Sequence, residues 1–364
     1  MPWGADFRRP AGAAALARGI REMKLPPVKL MEVCGTHTMA IAKSGLRSLL
    51  PPGVELLSGP GCPVCVTPSG VIDALMELSG RPGVTLCTYG DLLRVPGSDP
   101  SDSLNRRKAL GADVRWVYSP MDALEFAAQH PERQVVFAGV GFETTAPGTA
   151  LTVLEAQRRG TENFSMLCLL KRTEPALRAL LAREGCAVGG FLCPGHVAAI
   201  TGSEAFRFLP EEYGLGAVVA GFETGDLLSA VYTLLDMVRR GESALINEYT
   251  RTVSPQGNPA AQAVMEQVLQ PCGDVWRGLG EIPESGYALR EAFAPFDASK
   301  RFGFAPLTGQ EPKGCRCGEI ICGECRAQDC PLFGTRCRPE HPVGPCMVSS
   351  EGACAAAWRY QDLL

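Results

Sequence analysis

Two short cysteine motifs in the first 65 residues contain the side chains best suited to redox or metal chemistry. Cys62 and Cys65 form a C-x-x-C pair in the loop GPGCPVC, a spacing that allows either a disulfide or joint binding of one metal ion. Cys34 supplies a third thiol in the motif CGTH, and His37 follows three positions later. Three thiolates with a nearby imidazole can bind a soft or borderline metal and leave one coordination position open. A capping or turn role is the alternative for His37.

The C-terminal tail contains a second group of eight cysteines, interspersed with glycine and proline. These are Cys315, Cys317, Cys322, Cys325, Cys330, Cys337, Cys346 and Cys354. Loop-rich segments of this kind commonly wrap a [4Fe–4S] cluster, whereas the compact spacing of the first four is also compatible with a zinc ribbon. Spacing alone does not identify four ligands among eight candidates. Because the tail has too little apolar sequence to fold by itself, we expect a bound metal to cross-link it.

The composition of the chain narrows the class of protein. Its 35 basic and 39 acidic residues leave no positive surface of the kind that binds nucleic acid or anionic membranes. No run approaches the roughly 20 apolar residues that cross a bilayer, and the stretch 11–17 lacks the core of a signal peptide. We therefore expect a cytoplasmic protein whose 16 cysteines serve metal binding or redox chemistry. Inert core cysteines are expected only at the isolated Cys87, Cys168, Cys186 and Cys272.

Short apolar runs alternate with helical patterns, which predicts an α/β fold of open, mostly parallel sheets with helices on both faces. The predicted strands are 28–33, 54–57, 84–88, 114–118, 135–140, 164–169, 188–192 and 217–220. The predicted helices include 38–50, 68–78, 121–130, 148–159, 174–184 and 224–240. Thr67 is the expected N-cap of the second helix, with Pro68 in its first position. The sequence GFET occurs at 141–144 and again at 221–224, which is compatible with two related α/β units or with repeated steps in one sheet.

Every unusual loop of the chain follows a predicted strand. The loops are CGTH, GPGCPVC, TYGD (88–91), GFETT (141–145), CPGH (193–196) and GFET (221–224). Ligands of parallel sheets bind outside the carboxyl ends of the strands, so we expect these loops to meet at one edge. For TYGD a turn is the favoured interpretation. For the two cysteine motifs a functional role is favoured, because a turn does not require cysteine, and the helix from Pro68 should favour thiolate at the dithiol.

Five motifs in order resemble those of the HypD family of [NiFe]-hydrogenase maturation proteins: MEVCGTH, SGPGCPVCVTP, GFETTAP, CPGHV and the tail CPLFG…PVGPCMVSSEG…C. The resemblance extends from about residue 28 to the C-terminus and implies two α/β domains of similar topology plus a small cysteine-rich [4Fe–4S] domain. The implied segments are an N-terminal extension (1–27), α/β domain I with both cysteine motifs (28–120, joined in one version by part of 224–270), α/β domain II with GFETT and CPGH (121–240), a helical connection (241–300) and the cluster domain (301–364).

The resemblance also implies roles for individual residues. Cys34 is implied to bind the iron that is assembled into the Fe(CN)₂CO unit. Cys62 and Cys65 are implied to be a redox-active pair that exchanges electrons with the cluster or contacts the iron. Glu143 and His196 are implied to line the cleft between the domains, and for each of them a capping role is the alternative.

The family pattern places the [4Fe–4S] ligands at Cys317, Cys330, Cys337 and Cys354. Either Cys315 or Cys346 could replace one of these four. Cys322 and Cys325 are additions in this sequence that could compete for metal.

The implied function is a redox-active scaffold on which Fe(II) receives cyanide and carbon monoxide. The implied partners are the chaperone HypC, which adds its N-terminal cysteine to the iron; HypE, which delivers cyanide as a thiocyanate after HypF supplies the carbamoyl group; and the hydrogenase large-subunit precursor.

Two rival functions are compatible with the residues. One is a thiol–disulfide reductase of the ferredoxin–thioredoxin reductase kind, and the other is a zinc-ribbon interaction module fused to an α/β domain.

Overall fold

The computed structural model describes residues 10–307 and 309–361 and contains all eight predicted strands. The strands are β1 (Val28–Glu32), β2 (Val54–Ser58), β3 (Val84–Thr88), β4 (Val114–Trp116), β5 (Gln134–Gly141), β6 (Phe164–Leu170), β7 (Val188–Pro194), β8 (Gly216–Ala220), β9 (Leu245–Asn247), β10 (Leu269–Trp276) and β11 (Gly280–Leu289). The first eight match the predicted runs to within two residues at either end. Of the predicted N-terminal extension, residues 1–9 lie outside the described part, as do residues 308 and 362–364 of the predicted cluster domain.

Helices connect most of the strands. They are α1 (Pro10–Glu22), α2 (Gly35–Ser44), α3 (Pro63–Val66), α4 (Ser69–Ser79), α5 (Leu104–Ala109), α6 (Pro120–Gln129), α7 (Ala146–Arg159), α8 (Thr173–Leu181), α9 (Gly195–Thr201), α10 (Phe208–Tyr213), α11 (Thr224–Arg240), α12 (Pro259–Val268), α13 (Ala298–Phe302), α14 (Cys317–Ile321), α15 (Pro345–Val348) and α16 (Ala353–Arg359). No helix in the described ranges has the length and apolar composition needed to cross a bilayer.

Nine strands form two parallel sheets, which confirms the predicted α/β class. Sheet A has the strand order β2-β1-β7-β8-β9, and sheet B has the order β4-β3-β5-β6. If the strands of each sheet are counted along the chain, both sheets begin with the order 2-1-3-4, so the two domains have similar topology. Successive side chains of a strand point to opposite faces, and accordingly Leu30 and Met31 of β1 lie in different apolar clusters.

The strands are shared between the sheets differently from the predicted segments 28–120 and 121–240. The chain leaves sheet A after β2, builds all of sheet B from β3 to β6, and returns to sheet A at β7, the strand before CPGH. Strand pairing depends on which faces become buried together, which the linear order of strands does not reveal. As a result, the repeated GFET follows the third strand of sheet B but the fourth strand of sheet A, and does not mark equivalent positions.

Segment 241–300, predicted to be a helical connection, contains only one α-helix before residue 298 and is dominated by an antiparallel hairpin. Strands β10 and β11 pair from Leu269 with Leu289 to Trp276 with Gly280. Pro271 and Gly273 interrupt the first strand, so its sequence does not show the apolar alternation that reveals a strand. The hairpin covers the end of the edge strand β6, where the Lys171 ammonium binds the Asp274 carboxylate at 2.6 Å.

The Lys171–Asp274 ion pair should contribute measurably to stability. The Lys171 side chain is 3% exposed and Asp274 30%, so Asp274→Ala leaves a buried ammonium unpaired and should lower the free energy of unfolding by about 3 kcal/mol. Urea-induced unfolding measures the change. The matched control is Glu291→Ala, which removes the partner of the 52%-exposed Lys300 and should cost less than about 1 kcal/mol. Equal effects in the two variants would contradict the role assigned to the hairpin contact.

Candidate functional site between the two sheets

A cleft of about 510 Å³ lies where the carboxyl ends of both sheets face each other. In a sheet that begins 2-1-3-4, ligands bind at the switch point between strands 1 and 3. The cleft residues that follow those strands are Cys34 after β1, His196 after β7, Asp91 after β3 and Thr144 after β5. Five of the six loops predicted to meet at one edge therefore meet across two facing edges, whereas GFET at 221–224 does not line the cleft.

The dithiol lies at the start of a short helix that the sequence did not predict. Cys62 is the N-cap of α3, and its sulfur accepts a hydrogen bond from the Cys65 amide at 3.1 Å. The two sulfurs lie close enough together to form a disulfide, and both residues are at least 95% buried. The expected cap at Thr67 is absent, because its hydroxyl donates to the Pro63 carbonyl and α4 begins only at Ser69. The Cys65 amide, and not the end of α4, is thus the group placed to stabilise a Cys62 thiolate.

The two cysteine loops are in direct backbone contact. The Gly35 amide donates to the Gly61 carbonyl at 2.9 Å. A β-carbon at position 61 would lie 2.2 Å from the Cys34 nitrogen, so only glycine allows this approach. Cys34 and the dithiol loop therefore share one wall of the cleft. Burial, together with the charge of Glu351, raises the pKa of the Cys34 thiol to about 12.

A buried carboxyl group that sequence reasoning missed holds the Cys34 loop in place. Glu32, the last residue of β1, accepts hydrogen bonds from the Cys34 amide at 3.0 Å and the Thr38 hydroxyl at 2.5 Å. Burial raises the pKa of Glu32 to about 7. The signal that could have found it is an acidic residue directly after the apolar Leu30 and Met31 of β1.

The two histidines occupy different positions around Phe222. His37 is fully buried, its Nε2 lies 3.0 Å from the Gly221 carbonyl, and its ring lies 4.7 Å from that of Phe222. Burial lowers the pKa of His37 to about 4, so the ring is neutral, and it does not line the cleft. His196 stacks on Phe222 at 3.9 Å and exposes its imidazole to the cleft. His37 supports the loops, whereas His196 is available to a bound ligand.

Glu143 does not line the cleft, in contrast to the position that the resemblance implies. Its two carboxylate oxygens accept hydrogen bonds from the amide and the hydroxyl of Thr173, both at 2.7 Å. The side chain is buried and fixes the start of α8, which is the capping role stated as the alternative. Thr144 and Thr145 from the same loop face the cleft instead.

The loop TYGD, for which a turn was favoured, contributes to the cleft together with the C-terminal segment. The Asp91 carboxylate accepts hydrogen bonds from the Ser349 hydroxyl at 3.2 Å and from the amide and hydroxyl of Ser350, each at 3.0 Å. The Ser349 hydroxyl lies 3.4 Å from the Cys62 sulfur. A polar chain thus links the edge of sheet B to the dithiol. Nothing in the spacing of these residues along the chain indicated that they would meet.

Six of the eight tail cysteines line one small pocket. They are Cys315, Cys317, Cys330, Cys337, Cys346 and Cys354. Cys322 and Cys325 border two other hollows, so the four cysteines proposed for a zinc ribbon do not come together. No three His, Cys, Asp or Glu side chains of the described residues are already arranged to hold a metal ion. Sulfur donors enclosed by apolar side chains nevertheless fit an iron–sulfur cluster by donor type.

The cysteine pocket adjoins the dithiol. Helix α3, which contains Cys65, packs against both α14 and α15. These two helices contain Cys317 and Cys346 of the pocket, whose sulfurs lie 2.6 Å apart. The two sulfur centres are therefore immediate neighbours in the fold.

The close approach at Gly61 should not tolerate a methyl group. Gly61→Ala is expected to push the two cysteine loops apart and to lower the free energy of unfolding by about 3 kcal/mol. Labelling of Cys34 with a thiol reagent, located by peptide mass spectrometry, should become faster. Gly148→Ala is the control, because it has no neighbour within 4 Å in α7 and should raise stability by up to about 1 kcal/mol. Unchanged labelling of Cys34 in Gly61→Ala would count against the loop contact.

Comparison with known proteins agrees with this arrangement of motifs. A family model named HypD, described as the hydrogenase formation hypA family, matches residues 12–361. The chain is 45% identical over 374 residues to the hydrogenase maturation factor HypD of Rhodobacter capsulatus, covering 99% of this chain and 98% of that protein. It is 46% identical to the factors of the same name from Azotobacter vinelandii (368 residues, 99% and 97% covered) and Escherichia coli K12 (365 residues, 98% and 97% covered). The chain therefore belongs to the HypD family of hydrogenase maturation factors.

Proposed function

We propose that the chain is the scaffold on which iron receives cyanide and carbon monoxide before transfer to the [NiFe]-hydrogenase large-subunit precursor in the cytoplasm. The observation that carries the proposal is the contact between the loops of Cys34 and Cys62–Cys65 at one wall of the cleft. It supports the proposal because the thiol that we assign to iron then lies beside a pair of thiols able to store two electrons. Membership of a hydrogenase maturation family supports the same function.

In this proposal Fe(II) is the cargo, and the Cys34 thiolate binds it in the cleft. The partner HypC supplies a second thiolate from its N-terminal cysteine. Because the pKa of Cys34 is raised by burial to about 12, its thiol keeps its proton until a cation replaces it. Cys62 and Cys65 can add sulfur ligands only after their disulfide is reduced. His196, whose imidazole lines the cleft, is the residue proposed to hydrogen-bond to a diatomic ligand on the iron.

The dithiol supplies the electrons for cyanide attachment. Cyanide is proposed to arrive from HypE as a thiocyanate, whose carbamoyl precursor HypF provides. Cleaving its carbon–sulfur bond takes two electrons and leaves cyanide and a thiol on HypE. Oxidation of Cys62 and Cys65 to a disulfide releases two electrons and two protons, so one dithiol serves one cyanide. One proton goes to the HypE sulfur, and the other passes through Ser349 to Asp91, along contacts of 3.4 and 3.2 Å.

The cysteine pocket is proposed to hold a [4Fe–4S] cluster. Bound by these cysteines, the cluster would supply single electrons, and the neighbouring disulfide needs two electrons and two protons to return to the dithiol. The proposed ligands are Cys317, Cys330, Cys337 and Cys354, and Cys315 and Cys346 in the same pocket are the alternatives.

A thiol–disulfide reductase resembling ferredoxin–thioredoxin reductase is the second candidate function. The packing of α3 against α14 and α15 favours it, because a dithiol beside a cluster site suits both activities. The two functions differ in Cys34, which has no role in the reductase.

Cys34→Ala should abolish iron loading without disturbing the cysteine pocket. The infrared bands of cyanide and carbon monoxide are expected in the wild-type chain, purified without oxygen after co-expression with HypC, HypE and HypF. The variant should lose these bands and keep the visible absorbance of the cluster. Cys87→Ala, which removes a buried thiol of sheet B, should retain both signals. Bands that persist in Cys34→Ala would refute the scaffold, and disulfide reduction without any bands in the wild type would favour the reductase.

The tail cysteines should separate into two functional classes. Cys317→Ser is expected to lose most of the iron and acid-labile sulfide of the purified chain, because it removes a donor from the pocket. The double variant Cys322→Ser/Cys325→Ser should keep its iron, because both residues lie outside that pocket. Iron loss in the double variant alone would assign the metal to a different set of cysteines.

A further inference from the structure

Arg277, in the turn between β10 and β11, is fixed against the segment that follows the dithiol. Its backbone amide donates to the Val66 carbonyl at 2.8 Å. Its guanidinium donates to the Thr67 carbonyl through Nε at 3.2 Å and Nη2 at 2.7 Å, and to the Ser69 hydroxyl at 3.3 Å. Only 3% of Arg277 is exposed, so a permanent positive charge is buried next to the segment that continues from Cys65.

The same turn also contacts the cysteine pocket. Gly278 has φ +80°, and a β-carbon there would lie 2.6 Å from the carbonyl oxygen of Gly318, the residue after Cys317. This contact joins the turn of Arg277 to α14, the helix that begins at Cys317 of the pocket. Arg277 therefore lies between the two sulfur centres of the proposed function.

The carboxylate that neutralises Arg277 is much more exposed to water than the guanidinium. Glu311 forms an ion pair with the guanidinium, and its other oxygen accepts from the Ser69 amide at 3.3 Å. The Glu311 side chain is 50% exposed, whereas that of Arg277 is 1% exposed. Water screens the exposed carboxylate more than the buried guanidinium, so the positive charge of the pair is the less screened of the two. Burying such a charge costs free energy that an apolar side chain would not cost, which suggests a role beyond folding.

We propose that Arg277 sets the reduction potential of the thiolate-bound group in the cysteine pocket, and that Glu311 limits the effect. Each added electron increases the negative charge of a group that thiolates already make negative, and the guanidinium stabilises that charge. Arg277 thereby favours the reduced state of the group bound in the pocket. The neighbouring disulfide accepts two electrons and two protons. This inference rests on the proposed function, because it requires a reducible group in the pocket. Arg277 acts on the group in the pocket through its positive charge, as a positioning residue, and does not touch the iron cargo.

The experiment is a potentiometric titration of the full chain without oxygen, with dithionite as the electron donor and visible absorbance and electron paramagnetic resonance as readouts. Arg277→Met should lower the midpoint potential so that the ratio of reduced to oxidised protein falls about tenfold at a fixed potential, or roughly 59 mV for one electron. Glu311→Gln should shift the potential in the opposite direction. Arg277→Lys should keep the wild-type potential and still lose stability, because an ammonium cannot reproduce the guanidinium contacts.

Arg183→Met is the matched control. Arg183 also donates to this turn, at the Gly278 carbonyl, but it is 37% exposed and paired with Glu324, so its loss should leave the potential unchanged. The inference would be overturned if the midpoint potential shifted equally in Arg277→Met and Arg277→Lys. It would also be overturned if the potential did not change in Arg277→Met, or did not change in Glu311→Gln. If Arg277→Met does not fold, the other two variants decide the question. A wild-type chain without a reducible group would instead overturn the proposed function.

Discussion

The backbone contact between Gly61 and Cys34 is the constraint on which the candidate site depends. Parallel pairing of β1 with β2 brings the following loops side by side, and the missing side chain at position 61 lets them touch. Glu32 then holds the Cys34 loop from within the core, at the cost of burying a carboxyl group. The Cys34 thiol is thus positioned by the backbone contact at Gly61 and by the buried carboxyl group of Glu32. The other side chains of the cleft are added around this fixed loop.

Two sheets with the same initial strand order face each other, so their switch points combine into one cleft. Sheet A contributes sulfur and imidazole, whereas sheet B contributes Asp91 and two threonines. In the proposed function, this division separates the residues that bind iron from those that accept protons and hydrogen bonds. The hairpin β10–β11 connects the two parts of the site, because it contacts the end of sheet B through Lys171 and the segment after the dithiol through Arg277.

Local signals in the sequence predicted the first eight strands, because short buried β-runs are apolar and bounded by glycine and proline. Pairing between the strands could not be read in the same way, so the return of β7 to sheet A was missed. The same limit explains Asp91 and Ser349, which meet across 258 positions of the chain. The resemblance implied His196 and Glu143 at the cleft, and the structure has His196 there. Glu143 instead accepts hydrogen bonds from Thr173, since a glutamate at a strand end serves equally well as a helix cap.

The C-terminal segment serves both sulfur centres within a few residues. Cys346 lines the pocket, Ser349 touches the dithiol three positions later, and Cys354 returns to the pocket. The short helix α15 joins the first two without any slack in the chain. Neither centre can be moved without displacing the other. The distance between the cysteine pocket and the dithiol is therefore set by one continuous stretch of backbone.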